Sequence, residues 1–214
     1  MNNIFLYDTP DWLQVVTLGR DVDMGEMGIT PENLCMPHQT HSDHVLWTDK
    51  PGRPEDTDAT ITQQKGLWLC VRTADCIPIL LYDDDTRTVA AVHSGWRGTV
   101  ARIVCKTVEF MHSAPSHLHA IMGPGISLNA FEVGDEVYEQ FREAGFPMSL
   151  VAERREKWHI DLFACNEWLL GQMGVGNVVK SGLCTYSHSE MFYSARHDGT
   201  KTGRNLNLIV LKDA

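Results

Sequence analysis

Three side chains suited to holding a metal ion stand where a folded chain can bring them together: His41, Cys76 and His93. His41 lies in Pro37-His38-Gln39-Thr40-His41-Ser42-Asp43-His44, where three histidines crowd a short run. Cys76 closes Thr73-Ala74-Asp75-Cys76, which follows one apolar run, and His93 opens His93-Ser94-Gly95-Trp96-Arg97-Gly98 after another. A thiolate and two neutral imidazoles form the three-ligand set of a catalytic zinc, whose fourth position stays open. The same set can hold copper. The three donors are far apart in sequence, so spacing alone leaves a plainer reading open. Cys76 is then a small buried hydrophobe and the histidines are satisfied polar residues.

Other residues could handle anions. Gly95 and Gly98 flank Trp96-Arg97 just before a helix. Glycines let backbone N–H groups approach an anion, a helix start adds positive dipole, and Arg97 adds a fork of donors. Arg72 can supply a second cation. The alternative is a tight turn with Arg97 paired to a carboxylate. Gly123-Pro124-Gly125 either lines a pocket with bare backbone or turns the chain. Near the C-terminus, Tyr193, Arg196, His197 and Arg204 gather aromatics and cations into a base-stacking, phosphate-binding wall or a solvated hairpin tip.

The elements that must position these residues are read from periodicity. Apolar, β-branched runs predict strands over Leu67 to Arg72, Ile77 to Tyr82, Val89 to His93, Leu118 to Met122, Val178 to Ser181 and Leu206 to Leu211. Asp83 to Thr86 has turn composition. Val100, Ile103, Val104, Val108 and Met111 share one face of a helix over Thr99 to Met111, and Val133 to Ala144 repeats that spacing. Asp161 is placed to cap a third helix running to Met173, which Gly174 or Gly176 would stop. Asp21 to Pro37, rich in Gly, Met and acidic residues, is expected to wind over the surface. Together these imply a mixed α/β domain without a definite topology.

The chain has 214 residues, enough for one domain with a full core. With 18 basic against 28 acidic side chains its net charge is −10, which disfavours nucleic acid and anionic membrane surfaces as partners. No apolar stretch is long enough to span a membrane. Met1-Asn2-Asn3-Ile4-Phe5 does not read as a signal peptide. Six cysteines without a C-x-x-C pair suit reduced thiols in the cytoplasm.

Taken in order, the segments resemble one family. They are Gln39-Thr40-His41, Thr73-Ala74-Asp75-Cys76 with Pro78, His93-Ser94-Gly95-Trp96-Arg97-Gly98, Phe131-Glu132-Val133-Gly134-Asp135-Glu136-Val137, Asp161-Leu162 with Asn166, and Ser194-x-Arg196-x-Asp198-Gly199 with Thr202-Gly203-Arg204. The chain is similar, from about His38 to its C-terminus, to the laccase-domain or multicopper polyphenol oxidoreductase family. Bacterial members of that family are described as purine nucleoside phosphorylases with adenosine deaminase activity, and one branch as a peptidoglycan editing factor. The resemblance implies a single α/β domain over residues 1–214, with two packed sheets and helices outside, related to a class of cysteine hydrolases. It places the metal ligands on His41, Cys76 and His93, with zinc the usual ion. The implied substrates are adenosine, inosine, guanosine and methylthioadenosine, cleaved by phosphate, with deamination of adenosine as a second activity. Gly125 to Ala130 lacks the cysteines that often follow the family's Gly-Pro motif, so no cysteine there takes part.

Two mechanisms compete on these residues. In a zinc enzyme, Cys76 and His93 serve the metal, Arg72, Arg97 and Arg196 hold substrate and phosphate, and Asp75 supports a histidine. In a cysteine hydrolase, Cys76 attacks an amide carbonyl in a cell-wall precursor with His93 as base. A third reading is a binding protein with a structural zinc, which would need a fourth ligand. A four-copper centre would need roughly ten histidines, many in H-x-H pairs. The chain has one such pair, His117-Leu118-His119.

Overall fold

Alternating burial along the strands builds two sheets that share an apolar layer. The structure is a computed structural model that describes residues 3–213. The reading of Met1 and Asn2 as the start of an unleadered chain lies outside the described residues. The first sheet is five-stranded, in the order β1 (Ile4–Leu6), β2 (Leu13–Leu18), β14 (Asn205–Leu211), β6 (Trp68–Thr73), β3 (Leu34–Cys35). The second is six-stranded: β13 (Asn177–Lys180), β9 (Leu118–Met122), β7 (Ile77–Asp83), β8 (Val89–Ser94), β5 (Ala59–Thr62), β4 (Val45–Trp47). A small third sheet joins β10 (Glu132–Val133), β12 (Trp158–Ile160) and β11 (Ala152–Arg154).

Strand β14 shows how side-chain alternation makes the layers. Ile209 and Leu211 pack with Leu69, Val71, Leu80 and Val89 between the two main sheets. Leu208 and Val210 point the other way, onto Val16, Leu18, Trp68 and Cys70. That outer face is covered by Ile29 and Leu34, with Val22, Met24, Met27 and Met36 against them. The segment expected to wind over the surface therefore seals the first sheet.

The far face of the second sheet carries the helices. Ile61, Ile79, Leu81 and Val92 meet Ile103, Val104 and Val108 of α2 (Ile103–Met111) and Leu169 and Leu170 of α5 (Leu162–Gln172). The remaining helices are α1 (Trp96–Val100), α3 (Asp135–Glu143), α4 (Met148–Val151) and α6 (Ala195–Asp198). The mixed α/β class and the packed sheets are as expected. The flanking differs, because helices pack against the second sheet and the first is covered by irregular chain.

Three local expectations need correction. The helix over Thr99 to Met111 is broken at Arg102, which takes a left-handed φ of 60°. Its guanidinium donates to the Ala144 carbonyl at 2.9 Å, a contact periodicity cannot foresee. Val133 belongs to β10 opposite Trp158 rather than to a helix, and α3 starts after Gly134. Strands β1, β3, β4 and β5 escape the periodic reading because they are only two to four residues long, and β2, six residues and largely apolar, is passed over as well. Asp161 does cap α5, accepting from the Ala164 N–H at 2.9 Å.

Register then brings the site together. Pairing of β7 with β8 sets Pro78 opposite His93, so Cys76, the residue just before β7, lies beside the end of β8. Pairing of β5 with β8 sets Ala59 opposite Val92, so Asp58 falls beside His93.

Candidate metal centre

His41, Cys76 and His93 converge, with their ligand atoms all within 4.8 Å of one another. Cys76 Sγ lies 3.9 Å from His41 Nε2, and the two imidazole rings meet edge to face at 4.9 Å. A tetrahedral zinc sets such donor atoms about 3.3–3.6 Å apart. Closing the difference takes a shift of at most about 1.5 Å, and the exposed His41 side chain can make it. The donor set and spacing therefore fit a metal ion with three protein ligands and an open side.

Asp58 organises the group. It is fully buried and accepts the N–H groups of Thr40, His41 and Ser42 at 3.0, 3.1 and 2.9 Å, and the Ser42 hydroxyl at 2.8 Å. Three successive amides closing on one carboxylate hold His41 in a left-handed conformation with φ 62°. The same carboxylate lies 2.7 Å from His93 Nδ1. That bond puts a ring proton on Nδ1 and makes Nε2 the nitrogen that would meet a ligand, the carboxylate–histidine arrangement of metal sites. Burial would raise the Asp58 carboxyl, but the hydrogen bond and charge of His93 and the Thr40 and Ser42 amides hold it well below the usual carboxylate range. Burial likewise opposes the Cys76 thiolate, yet the His93 charge and the hydrogen bonds from His41 and His93 pull the thiol down. Against burial, Cys76 and Asp58 push His93 up.

Asp58 carries no sequence signal beyond a carboxylate ahead of a short polar strand. Asp75, expected to support a histidine, does not: it accepts from the Thr185 hydroxyl and the Arg196 N–H, both at 2.7 Å. It ties the C-terminal segment to the Cys76 turn.

The three donors line a cavity of about 530 Å³, together with His38, Gln39, Arg72, Ala74, Ala195, Thr200, Lys201, Thr202 and Arg204. Gln39 grips Arg72 on both sides, donating to its carbonyl and accepting from its N–H at 2.8 Å each. Of the expected substrate residues, Arg72 faces this cavity and two others do not. Arg97 is exposed with its guanidinium 4.2 Å over the Trp96 ring. Arg196 turns to the Glu132 carbonyl at 3.0 Å. Arg204, read in the sequence as part of a phosphate-binding wall or a hairpin tip, lines the cavity instead, together with Lys201, which the sequence did not single out. Arginine and lysine ion pairs among the described residues involve Arg20, Lys106, Arg142, Arg154, Arg155, Lys157 and Lys180, and none of the cavity cations.

Gly95 is a close-approach position. A Cβ there would lie 2.8 Å from Cys76 Sγ and 3.1 Å from His41 Cδ2. Its φ of −74° is ordinary, so Gly95→Ala should fold normally while displacing two ligands. Metal affinity is expected to fall by about 10-fold or more, a loss comparable to that from disturbed ligand orientation. Metal titration alongside circular dichroism checks this, and wild-type affinity would sink it. Gly125 serves packing rather than ligand binding, since its Cβ would meet Ile77 Cδ1 at 2.4 Å.

A family profile described as multi-copper polyphenol oxidoreductase laccase matches residues 6–212. The chain belongs to this family. A relative from Bacteroides thetaiotaomicron named purine nucleoside phosphorylase is 42% identical over 207 residues, spanning 88% of this chain and 77% of that protein. Adenosine deaminase RL5, from an unknown prokaryotic organism, is 37% identical over 228 residues, spanning 98% and 87%. The crystal structure of a Bacillus licheniformis hypothetical protein, YfiH, superposes with a TM-score of 0.92 at 22% identity, covering 99% of this chain and 97% of that one, and shows the shared fold. In this laccase-domain chain the six free cysteines form no disulfide, and among the described residues no helix is long and apolar enough to cross a membrane.

Proposed function

We propose that this laccase-domain chain is a zinc-dependent purine nucleoside phosphorylase that also deaminates adenosine. Inosine, guanosine, adenosine and methylthioadenosine are its substrates, phosphate is the co-substrate, and the cytoplasm is its compartment. The convergence of His41, Cys76 and His93 on a cavity lined by unpaired cations carries this reading. The names of its relatives supply the substrate class. Zinc held by the three residues would act as a Lewis acid on substrate or water. The chain's own residues do the rest. Asp58 fixes the His93 tautomer, Cys76 contributes its thiolate charge, and Arg72 meets an anion.

The test is elemental analysis of purified protein combined with an inosine assay run with and without phosphate. About one zinc per chain and phosphate-dependent release of hypoxanthine are expected. Hypoxanthine release indifferent to phosphate, or absent from metal-loaded protein, would overturn the reading. Copper fits the same three donors, but a four-copper centre does not. Among the described residues, this is the one group of three or more potential ligands that converges.

The lowered Cys76 thiol beside His93 favours a second reading, the cysteine hydrolase. It leaves His41 without a role, and His41 is part of the converged group. Alkylation separates the two. A zinc-bound thiolate is shielded, whereas a nucleophile beside a base reacts near neutral pH. Iodoacetamide should label Cys76 slowly in the zinc form and at least about tenfold faster after chelation. Fast labelling at full zinc occupancy, with activity lost in step, would favour the hydrolase.

A further inference from the structure

We propose that Arg72, Lys201 and Arg204 form a seat for inorganic phosphate, placed in the same cavity as the three metal ligands but independent of them. This rests on the phosphorylase reading above and names the residues that would serve its co-substrate. The chain carries 28 acidic side chains against 18 basic ones, yet the residues lining this cavity include no Asp or Glu. Three cations without counter-ions in an acidic protein constitute an anion site.

Arg72 is the anchor. Its Nε is buried without a hydrogen-bond partner, so the guanidinium has a donor still to satisfy. Burial first, and then the neighbouring charges of Arg53 and Arg204, disfavour its protonated form, and an anion would relieve both. Its backbone is clamped by Gln39, two residues from His41, so seat and metal ligands keep a fixed relation. Arg204 is held in place by its own loop, donating to the Gly203 carbonyl at 2.9 Å. Gly203 lies flat on Tyr193, where a Cβ would meet the ring at 2.5 Å. A tetrahedral oxyanion suits arginine forks and a lysine point charge.

In phosphorolysis a phosphate oxygen bonds to ribose C1′ as the C1′–N bond breaks. The bonding pair leaves on the purine nitrogen, which takes a proton, giving ribose 1-phosphate and free base. Deamination uses water and releases ammonia, so it does not need the seat.

The phosphoryl group of a nucleotide offers the same chemistry, so the test has two ligand arms. Inorganic phosphate and adenosine 5′-monophosphate are titrated calorimetrically into metal-loaded wild type and into Arg72→Ala, Arg72→Lys and Lys201→Ala. Lys201 is exposed, which makes its variant safe for folding. Phosphate should bind wild type and weaken at least tenfold in Arg72→Ala, less in Arg72→Lys and Lys201→Ala. In the inosine assay, the KM for phosphate should rise tenfold while that for inosine stays within twofold. No phosphate binding to wild type, affinity indifferent to Arg72 and Lys201, or binding by the nucleotide alone overturns the seat. So does loss through Arg97→Ala in place of Arg72→Ala. Phosphate binding that depends on Arg72 without any inosine cleavage upholds the seat and removes the phosphorylase reading.

Discussion

Cys76→Ser should empty the metal site and reduce phosphorolysis by about 100-fold or more. Serine is close in size but its hydroxyl does not ionise near neutral pH, so the set loses its anionic, soft donor. The two imidazoles left behind belong to one exposed and one buried histidine, and a two-ligand site binds zinc weakly. The fold should survive, because Cys76 is only partly buried and sits in the turn just before β7 rather than in the apolar layers. Metal content, phosphate-dependent turnover of inosine and circular dichroism measure the three parts of the expectation. Full metal occupancy in the serine variant would remove Cys76 from the ligand set.

Replacing Asp58 should cost both stability and metal. Asp58→Ala strips the acceptor from three backbone amides, a hydroxyl and His93 Nδ1, all around a fully buried position. Breaking a buried charge pair by removing one partner costs about 3–5 kcal/mol. Losing the carboxylate that orients a ligand histidine lowers metal affinity about 10- to 100-fold. Asp58→Asn keeps the shape but turns a donor toward donors, so it should rescue stability only in part. The sign of the pH effect follows from the depressed carboxyl. Its contribution to stability is complete above the unfolded value of about 3.9 and is lost as pH falls below it toward the folded value. The acid limb of the stability profile should therefore flatten in Asp58→Asn. Urea unfolding from pH 3 to 7 reads this, and a wild-type acid limb in the variant would show that Asp58 is not the coupled group.

The main strands of the second sheet were legible because each is a continuous apolar run buried on both faces, as in β7 and β8. The cap of α5 was legible because Asp161 acts within one turn of chain. The break at Arg102 was not, because what holds it is the Ala144 carbonyl, far along the sequence. The three donors could be named from residue type and motif, since chemistry limits which side chains hold a soft metal. Arg97 looked like an anion ligand from its glycines and the following helix. In the fold its guanidinium lies on Trp96, outside the cavity.

Residue types and motif order in this sequence determined the family, the donor set and the mixed α/β class. These rest on side-chain chemistry and on short-range periodicity, both of which operate within a few residues. Only the tertiary structure decided that Asp58, not Asp75, supports His93, and that Lys201 and Arg204 join Arg72 while Arg97 and Arg196 turn away. The reason is physical. Pairing of β5 and β7 with β8 sets which carboxylate meets which imidazole. Asp75 binding the Arg196 amide draws the C-terminal loop over the cavity residues. Contacts between groups a hundred residues apart depend on sheet register and loop anchoring, which no local pattern encodes.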